Sequence, residues 1–205
     1  METAKVVCVP AGALRANSYL VTADGASAVL IDCGGEEPLA EAERRGLRVA
    51  AVLLTHGHFD HIGGCAAAKR RGIPVGCAAA EERLIAAQPA FAAQLGLRVP
   101  PFAPDFTFSG GDSLAYGGLT FRVLATPGHT PGGVCYYVES EGVLFSGDTL
   151  FQNSVGRTDF PNSSTSDLIR SLREKVMQLP DDVKVYPGHM GETTIGHERK
   201  NNQFI

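Results

Sequence analysis

An unbroken apolar run, Val49 to Leu54 (VAAVLL), leads directly into Thr55 to His61 (THGHFDH), where three histidines and an aspartate fall within six positions. Such a run suits a strand covered on both faces. The polar cluster that follows suits the carboxyl end of that strand, where a loop carries groups the sheet interior cannot tolerate. Of the six histidines in the chain, five fall where an apolar strand gives way to a turn. LTFRVLATPGH ends on His129, GVLFSGD on Asp148 and VKVYPGH on His189. Four strand ends therefore supply seven candidate metal ligands: His56, His58, Asp60, His61, His129, Asp148 and His189. His56 and His58 are two apart and would point to opposite sides of a helix, whereas a kinked loop eased by Gly57 turns both toward one ion. Asp60 and His61 then aim at a second. Three neutral imidazoles per ion leave coordination positions open, and a carboxylate between two ions offsets their charge, for which Asp148 is the natural bridge.

Elsewhere the pattern alternates short strands with helices. Lys5–Val9, Ser18–Thr22 and Ala28–Ile31 read as antiparallel strands, followed by a polar helix Glu37–Arg45 ending at Gly46. Cys65–Arg71 reads as a helix closing at Gly72, and Ile73–Gly76 as a short strand. Ala78–Gln94, interrupted by Pro89, predicts two helical pieces, and Val99–Asp105 a surface connection. Strands return at Leu119–Ala125, Val134–Val138 and Val143–Phe145. Ser163–Gln178 predicts a capped helix with Leu168, Ile169, Leu172, Val176 and Leu179 on one face. Val183–Tyr186 is the last predicted strand, and Glu198–Asn202 a final helical turn.

A chain of 205 residues suits one domain, 1–205. With a net charge of -4 there is no basic field for a phosphate backbone, so nucleic acid is excluded as a partner. No apolar stretch approaches the roughly 20 residues of a spanning helix, and Met1–Pro10 lacks the pattern of a signal peptide, which points to a cytoplasmic protein without a membrane partner. Five scattered cysteines, none in a CxxC arrangement, indicate neither a disulfide framework nor a thiolate metal site.

THGHFDH, TPGHTPG, LFSGDTLF and VYPGH resemble, in order, the signature elements of the metallo-β-lactamase superfamily, and they span Thr55 to His189. VGRTDFP (Val155–Pro161) and the ending TTIGHERKNNQF are similar to its glyoxalase II-like (hydroxyacylglutathione hydrolase-like) members, in the short bacterial form without a C-terminal helical domain. The resemblance implies an α/β fold, a four-layer αββα sandwich with metals at one edge between two sheets. It also implies two divalent metal ions, His56, His58 and His129 binding the first, Asp60, His61 and His189 the second, with Asp148 bridging. Zinc is the expected metal, with iron or manganese compatible with the same N/O ligands.

The chemistry this implies is attack by a metal-bound hydroxide held by Asp148 and oriented by Asp60 on a small-molecule thioester such as S-lactoylglutathione. A thiolate of pKa roughly 8.5 leaves without a proton, whereas an amide nitrogen needs one, and no residue outside the ligand set is an obvious general acid. Among weaker candidates, Asp32 fits either a partner of a ligand histidine or a turn cap. Arg157 and Asp159 fit either the site lining or an internal salt bridge, the salt bridge being favoured. Arg199 and Lys200 could meet a substrate carboxylate, although a solvated face is the default reading, and His197 reads as a surface residue. The competing readings are a mononuclear iron persulfide dioxygenase, which shares GRTDF, and a lactonase. A β-lactamase is disfavoured by Asp148, and a non-catalytic binding module by the intact ligand set.

Overall fold

The computed structural model describes residues 4–205; of the Met1–Pro10 segment, residues 1–3 lie outside the described residues. Strands β1 (Lys5–Ala11), β2 (Ala16–Thr22) and β3 (Ser27–Ile31) form an antiparallel meander. Helix α1 (Glu37–Arg44) crosses over to β4 (Arg48–Leu53), which pairs parallel with β3. Short helices α2 (Phe59–Ile62) and α3 (Cys65–Arg70), strand β5 (Val75–Ala78), helix α4 (Glu82–Gln94) and strand β6 (Phe106–Phe108) complete a six-stranded sheet ordered β1 to β6.

Strands β7 (Ser113–Tyr116), β8 (Leu119–Ala125), β9 (Val134–Val138) and β10 (Val143–Gly147) build the second sheet as an antiparallel run. A small hairpin follows, β11 (Leu150–Phe151) and β12 (Ser154–Val155), then helix α5 (Thr165–Glu174). Strand β13 (Lys184–Pro187) pairs parallel with β10, and β14 (Thr193–Thr194) and helix α6 (Ile195–Asn201) close the chain.

Residues one apart on a strand face opposite sides, and here both sides are covered. On β3, Leu30 packs under the helices of the first half while Val29 and Ile31 face the other sheet. On β9, Val134, Tyr136 and Val138 face the first sheet while Cys135 and Tyr137 pack under α5 and α6. Three apolar layers thus separate helices, sheet, sheet and helices, giving the four-layer αββα sandwich of the metallo-β-lactamase fold. The buried runs that read as continuous apolar segments are strands with a core on each side. No helix of the described residues is long and apolar enough to cross a membrane.

Three local expectations need correction. Helix α4 runs unbroken through Pro89, because Ile85, Gln88 and Ala92 share one buried face whose packing outweighs the one backbone hydrogen bond a proline removes. The strand expected at Ile73–Gly76 begins and ends two residues later, paired between β4 and β6. The expected helix to Gln178 ends at Glu174 and continues only as a 3-10 turn, Val176–Gln178. Its start does carry the predicted cap, since Ser164 Oγ accepts from the Asp167 amide.

Candidate metal centre

Because β8 and β10 are both antiparallel to β9, and β13 is parallel to β10, strands β8, β10 and β13 all end at the same edge of their sheet. His129, Asp148 and His189 therefore emerge side by side. The end of β4 meets that edge from the other sheet. The Val134 amide donates to the Thr55 carbonyl (2.9 Å), and Tyr136 Oη donates to the Leu54 carbonyl (2.6 Å). All seven predicted ligands converge there. His56, His58 and His129 form one compact group of potential ligand atoms, and Asp60, His61 and His189 another.

Asp148 lies between the groups, its Oδ1 3.3 Å from His61 Nε2 and its Oδ2 3.6 Å from His129 Nε2 and 3.7 Å from His189 Nε2. Backbone economy makes this approach possible. A Cβ on Gly188 would stand 2.2 Å from Asp148 Oδ1 and 2.7 Å from His61 Cε1, so only glycine fits beside the ligands.

Hydrogen bonds to the surrounding protein fix which nitrogen His56, His61 and His129 turn inward, where His129 Nε2 lies 2.9 Å from His58 Nδ1. His61 Nδ1 donates to Asp32 Oδ2 (2.8 Å) and His129 Nδ1 to the Arg157 carbonyl (2.8 Å), so each turns a lone pair on Nε2 toward the centre. Thr55 Oγ1 donates to Asp32 Oδ2 (2.7 Å) and lies 3.1 Å from His56 Nδ1, from which it can accept. Asp32 thus orients one histidine of each group, His61 directly and His56 through Thr55. It also accepts from the Thr55 amide, at a backbone φ of 57° that a short polar side chain tolerates, so it serves as turn cap and histidine partner together.

Among the described residues four buried side-chain polar atoms have no hydrogen-bond partner, and three of them, His56 Nε2, His61 Nε2 and Asp148 Oδ1, belong to this cluster, the fourth being Thr130 Oγ1. Orphaned buried nitrogen and oxygen atoms are costly unless something binds them. Facing one another among imidazoles and carboxylates, the three in the cluster suit divalent cations, and the donor set is that of a metal site.

The charge balance differs between the groups. Burial and the neighbouring imidazoles hold His56 well below the ordinary imidazole value, burial and His129 bring His58 down to about 3, and burial lowers His129. Burial also opposes charge on His61, yet Asp148 and Asp32 at its two nitrogens hold its pKa well above the usual value. Burial works against ionised Asp60 as well, but His189 and His61 keep its carboxyl below the usual range. Asp148 is likewise lowered despite burial, through His61 first.

The sequence pattern missed Glu81. This buried carboxylate follows β5 and accepts from the Gly57 amide (2.6 Å), between His56 and His58, and from the Gly132 amide (2.7 Å), in the loop that carries His129. Gln88 of α4 similarly accepts from the Phe59 amide (2.9 Å). The one available signal was a glutamate three residues beyond the end of a short apolar strand.

Arg157 borders the cavity over the ligands, and its guanidinium makes a two-bond pair with Asp159 (2.6 and 2.7 Å). Arg199 points elsewhere. It donates to the Met177 and Leu179 carbonyls, just after α5, and pairs with Asp181, and it does not border the cavity over the candidate ligands. Lys200 is exposed on the same helix and does not border the cavity. His197 is partly exposed and bonded to Asn153 Oδ1 (2.8 Å).

The model of the metallo-β-lactamase superfamily matches residues 11–189. Hydroxyacylglutathione hydrolase GloC of Haemophilus influenzae is 37% identical over 203 residues, 96% of each chain. Among solved structures, the BLEG-1 B3 metallo-β-lactamase is 38% identical with a TM-score of 0.91, covering 98% of this chain and 99% of that one. TTHA1623, solved in a di-iron-bound form, is 37% identical with a TM-score of 0.89, covering 97% and 100%. With two sheets meeting at a His/Asp ligand cluster, and with this likeness along nearly its whole length, the chain belongs to the metallo-β-lactamase superfamily as a metal-dependent hydrolase.

Proposed function

We propose that the protein is a dinuclear thioester hydrolase, acting on a small-molecule thioester such as S-lactoylglutathione or a related acyl-thiol. His56, His58 and His129 would hold one cation, Asp60, His61 and His189 the second, with Asp148 between them. Zinc is the expected metal, and iron, as in the di-iron form of TTHA1623, fits the same donors. Two such cations supply Lewis acidity at the acyl oxygen and lower the pKa of water to roughly 7.

The chain's own part is positional. Asp60 is kept ionised and turned toward the cavity, so that it can accept the hydrogen bond that orients the attacking water. Phe160, 5.2 Å from the His58 ring, and Phe151, 6.1 Å from His189, screen the ligands from bulk water. The oxygen of water bonds to the acyl carbon, the carbon–sulfur bond breaks with its electron pair on sulfur, and the products are a carboxylate, a thiol and a proton.

One observation carries the thioester reading. Outside the candidate ligand set, the only ionisable side chain bordering the cavity among the described residues is Arg157, which cannot act as a proton donor near neutral pH. A leaving group that departs unprotonated suits this cavity, and a thiolate does so far more readily than an amine. The 37% identity to a hydroxyacylglutathione hydrolase supports the same choice. The test is metal quantification on purified protein followed by thioester, lactone, β-lactam and persulfide substrates, the last with oxygen uptake. Two metals per chain with thioester turnover dominant is expected. Dominant β-lactam turnover, or oxygen consumption with one iron per chain, would overturn the reading.

A further inference from the structure

Large apolar side chains are costly to leave in water, and four stand exposed among the described residues: Leu14 (53%), Leu95 (55%), Met190 (62%) and Phe204 (53%). Three of them, Leu14, Leu95 and Met190, come from distant parts of the chain and border the same cavity of about 590 Å³ that contains the metal ligands. Met190 is held there against its own preference. Its φ of 67° is unfavourable for a side chain, and Asn17 Nδ2 pins its carbonyl at 3.0 Å. Deeper in, Phe59 packs on Phe91 (ring centroids 6.0 Å), Phe91 on Phe160 (6.5 Å), and Phe160 on the His58 ring. An apolar wall therefore runs from the mouth of the cavity to a metal ligand.

Charge is distributed in the opposite sense. Among the described residues the cavity's one cation outside the candidate ligand set, Arg157, is bound by Asp159 and lies 4.4 Å over the Phe160 ring. In the adjoining cavity, which shares Phe59 and Asp60, Arg71 and Arg98 are accompanied by Glu36 and Glu37, and Arg71 is already paired with Glu36 and Glu43. A peptide thiol with two free carboxylates finds no excess of positive charge here.

Resting on the thioester reading above, we propose that the site selects thioesters whose acyl group is an apolar aliphatic or aryl chain, lying along the wall from Phe160 to Leu95 and Met190, with little recognition of the thiol carrier. Water adds to the acyl carbon and the thiolate departs as before, so the specificity resides in the acyl chain.

The experiment uses metal-loaded protein and a series of acetyl, butanoyl, hexanoyl, octanoyl and benzoyl thioesters of N-acetylcysteamine, beside S-lactoylglutathione and S-hexanoylglutathione. From acetyl to hexanoyl, kcat/KM is expected to rise about two- to fourfold per methylene, as apolar burial predicts. Exchanging N-acetylcysteamine for glutathione under the same acyl group should change it by less than about threefold. The paired substitution Leu95→Ser with Met190→Ser should lower the hexanoyl-to-acetyl ratio several-fold, while Phe204→Ser, outside the cavity, should leave that ratio as it is. By calorimetry, octanoate should bind at least about tenfold tighter than acetate, with a negative heat-capacity change. A flat chain-length series, or a glutathione preference above about tenfold, overturns this inference and leaves thioester hydrolysis standing. Absence of turnover with every thioester overturns the thioester reading and this inference with it.

Discussion

Asp148 lies within 4 Å of candidate ligand nitrogens from both groups, so its loss should be felt at both. Asp148→Ala is expected to lower the metal content from about two per chain to one or fewer and kcat by roughly a thousandfold or more, read by metal analysis and thioester turnover. Full activity in a metal-free variant would contradict the site. The histidines also predict an order of loss on acidification. A protonated imidazole cannot bind a cation, so a ligand with a raised pKa gives up its metal at higher pH. His61 is raised, whereas His56, His58 and His129 are lowered and remain neutral further into acid. On acidification the His61 group should therefore empty first. His189→Ala, which keeps the first group whole, should hold its remaining metal to lower pH than His58→Ala, which leaves the His61 group whole. The reverse order would refute the assignment.

At the scale of elements, the two ligand loops are tied by a residue that belongs to neither. Glu81 joins the amide between His56 and His58 to the loop carrying His129, and burial raises its carboxyl pKa although both amides favour the ionised form. Glu81→Ala should weaken metal affinity by about 10- to 100-fold, the usual effect of losing a residue that orients ligands. Glu81→Gln, which retains one amide acceptor, should fall between. Competition with a chromogenic chelator measures this, and unchanged affinity in Glu81→Ala would show the loops hold themselves. The ending TTIGHERKNNQF acts at the same scale, as a clamp. Buried Glu198 accepts from the Asn153 amide, Thr193 Oγ1 and Asn202 Nδ2, which secures the β11–β12 hairpin beside the cavity. The motif that suggested the family by resemblance thus has a structural task in which Arg199 and Lys200 meet no ligand group.

Across the whole molecule, the centre exists because two sheets stay in register at one edge. Asn17 of β2 donates to the Pro187 and Met190 carbonyls, and its amide to the Gly188 carbonyl (2.7 Å), bracketing His189 from the opposite sheet. Asn17→Ala leaves two carbonyls without this donor and should cost about 1–3 kcal/mol in urea unfolding. It should also lower metal occupancy at the His189 group more than at the His56 group. A loss of stability without that asymmetry would make Asn17 a plain structural bond.

Seven candidate ligands were legible in the sequence because they cluster in the turns after only four strands, β4, β8, β10 and β13, and strand and turn are local matters of side-chain period and glycine. The apolar run Val49 to Leu54 read as a strand covered on both faces, whereas the four-layer sandwich was an expectation from the family resemblance. Residues whose work is done across the molecule were not. Glu81 and Asn17 are ordinary polar residues in sequence, and they act only where strand order and sheet packing carry them to loops 24 to 173 positions away. Pro89 reads as a break and lies within a helix, because the buried face around it is a tertiary fact. The sequence by itself determined which groups could bind metal and that they would lie at strand ends. Only the tertiary structure decided which nitrogen each histidine presents, what fixes it there, and that an apolar wall stands beside the reaction site, because those depend on contacts between segments that no local period encodes.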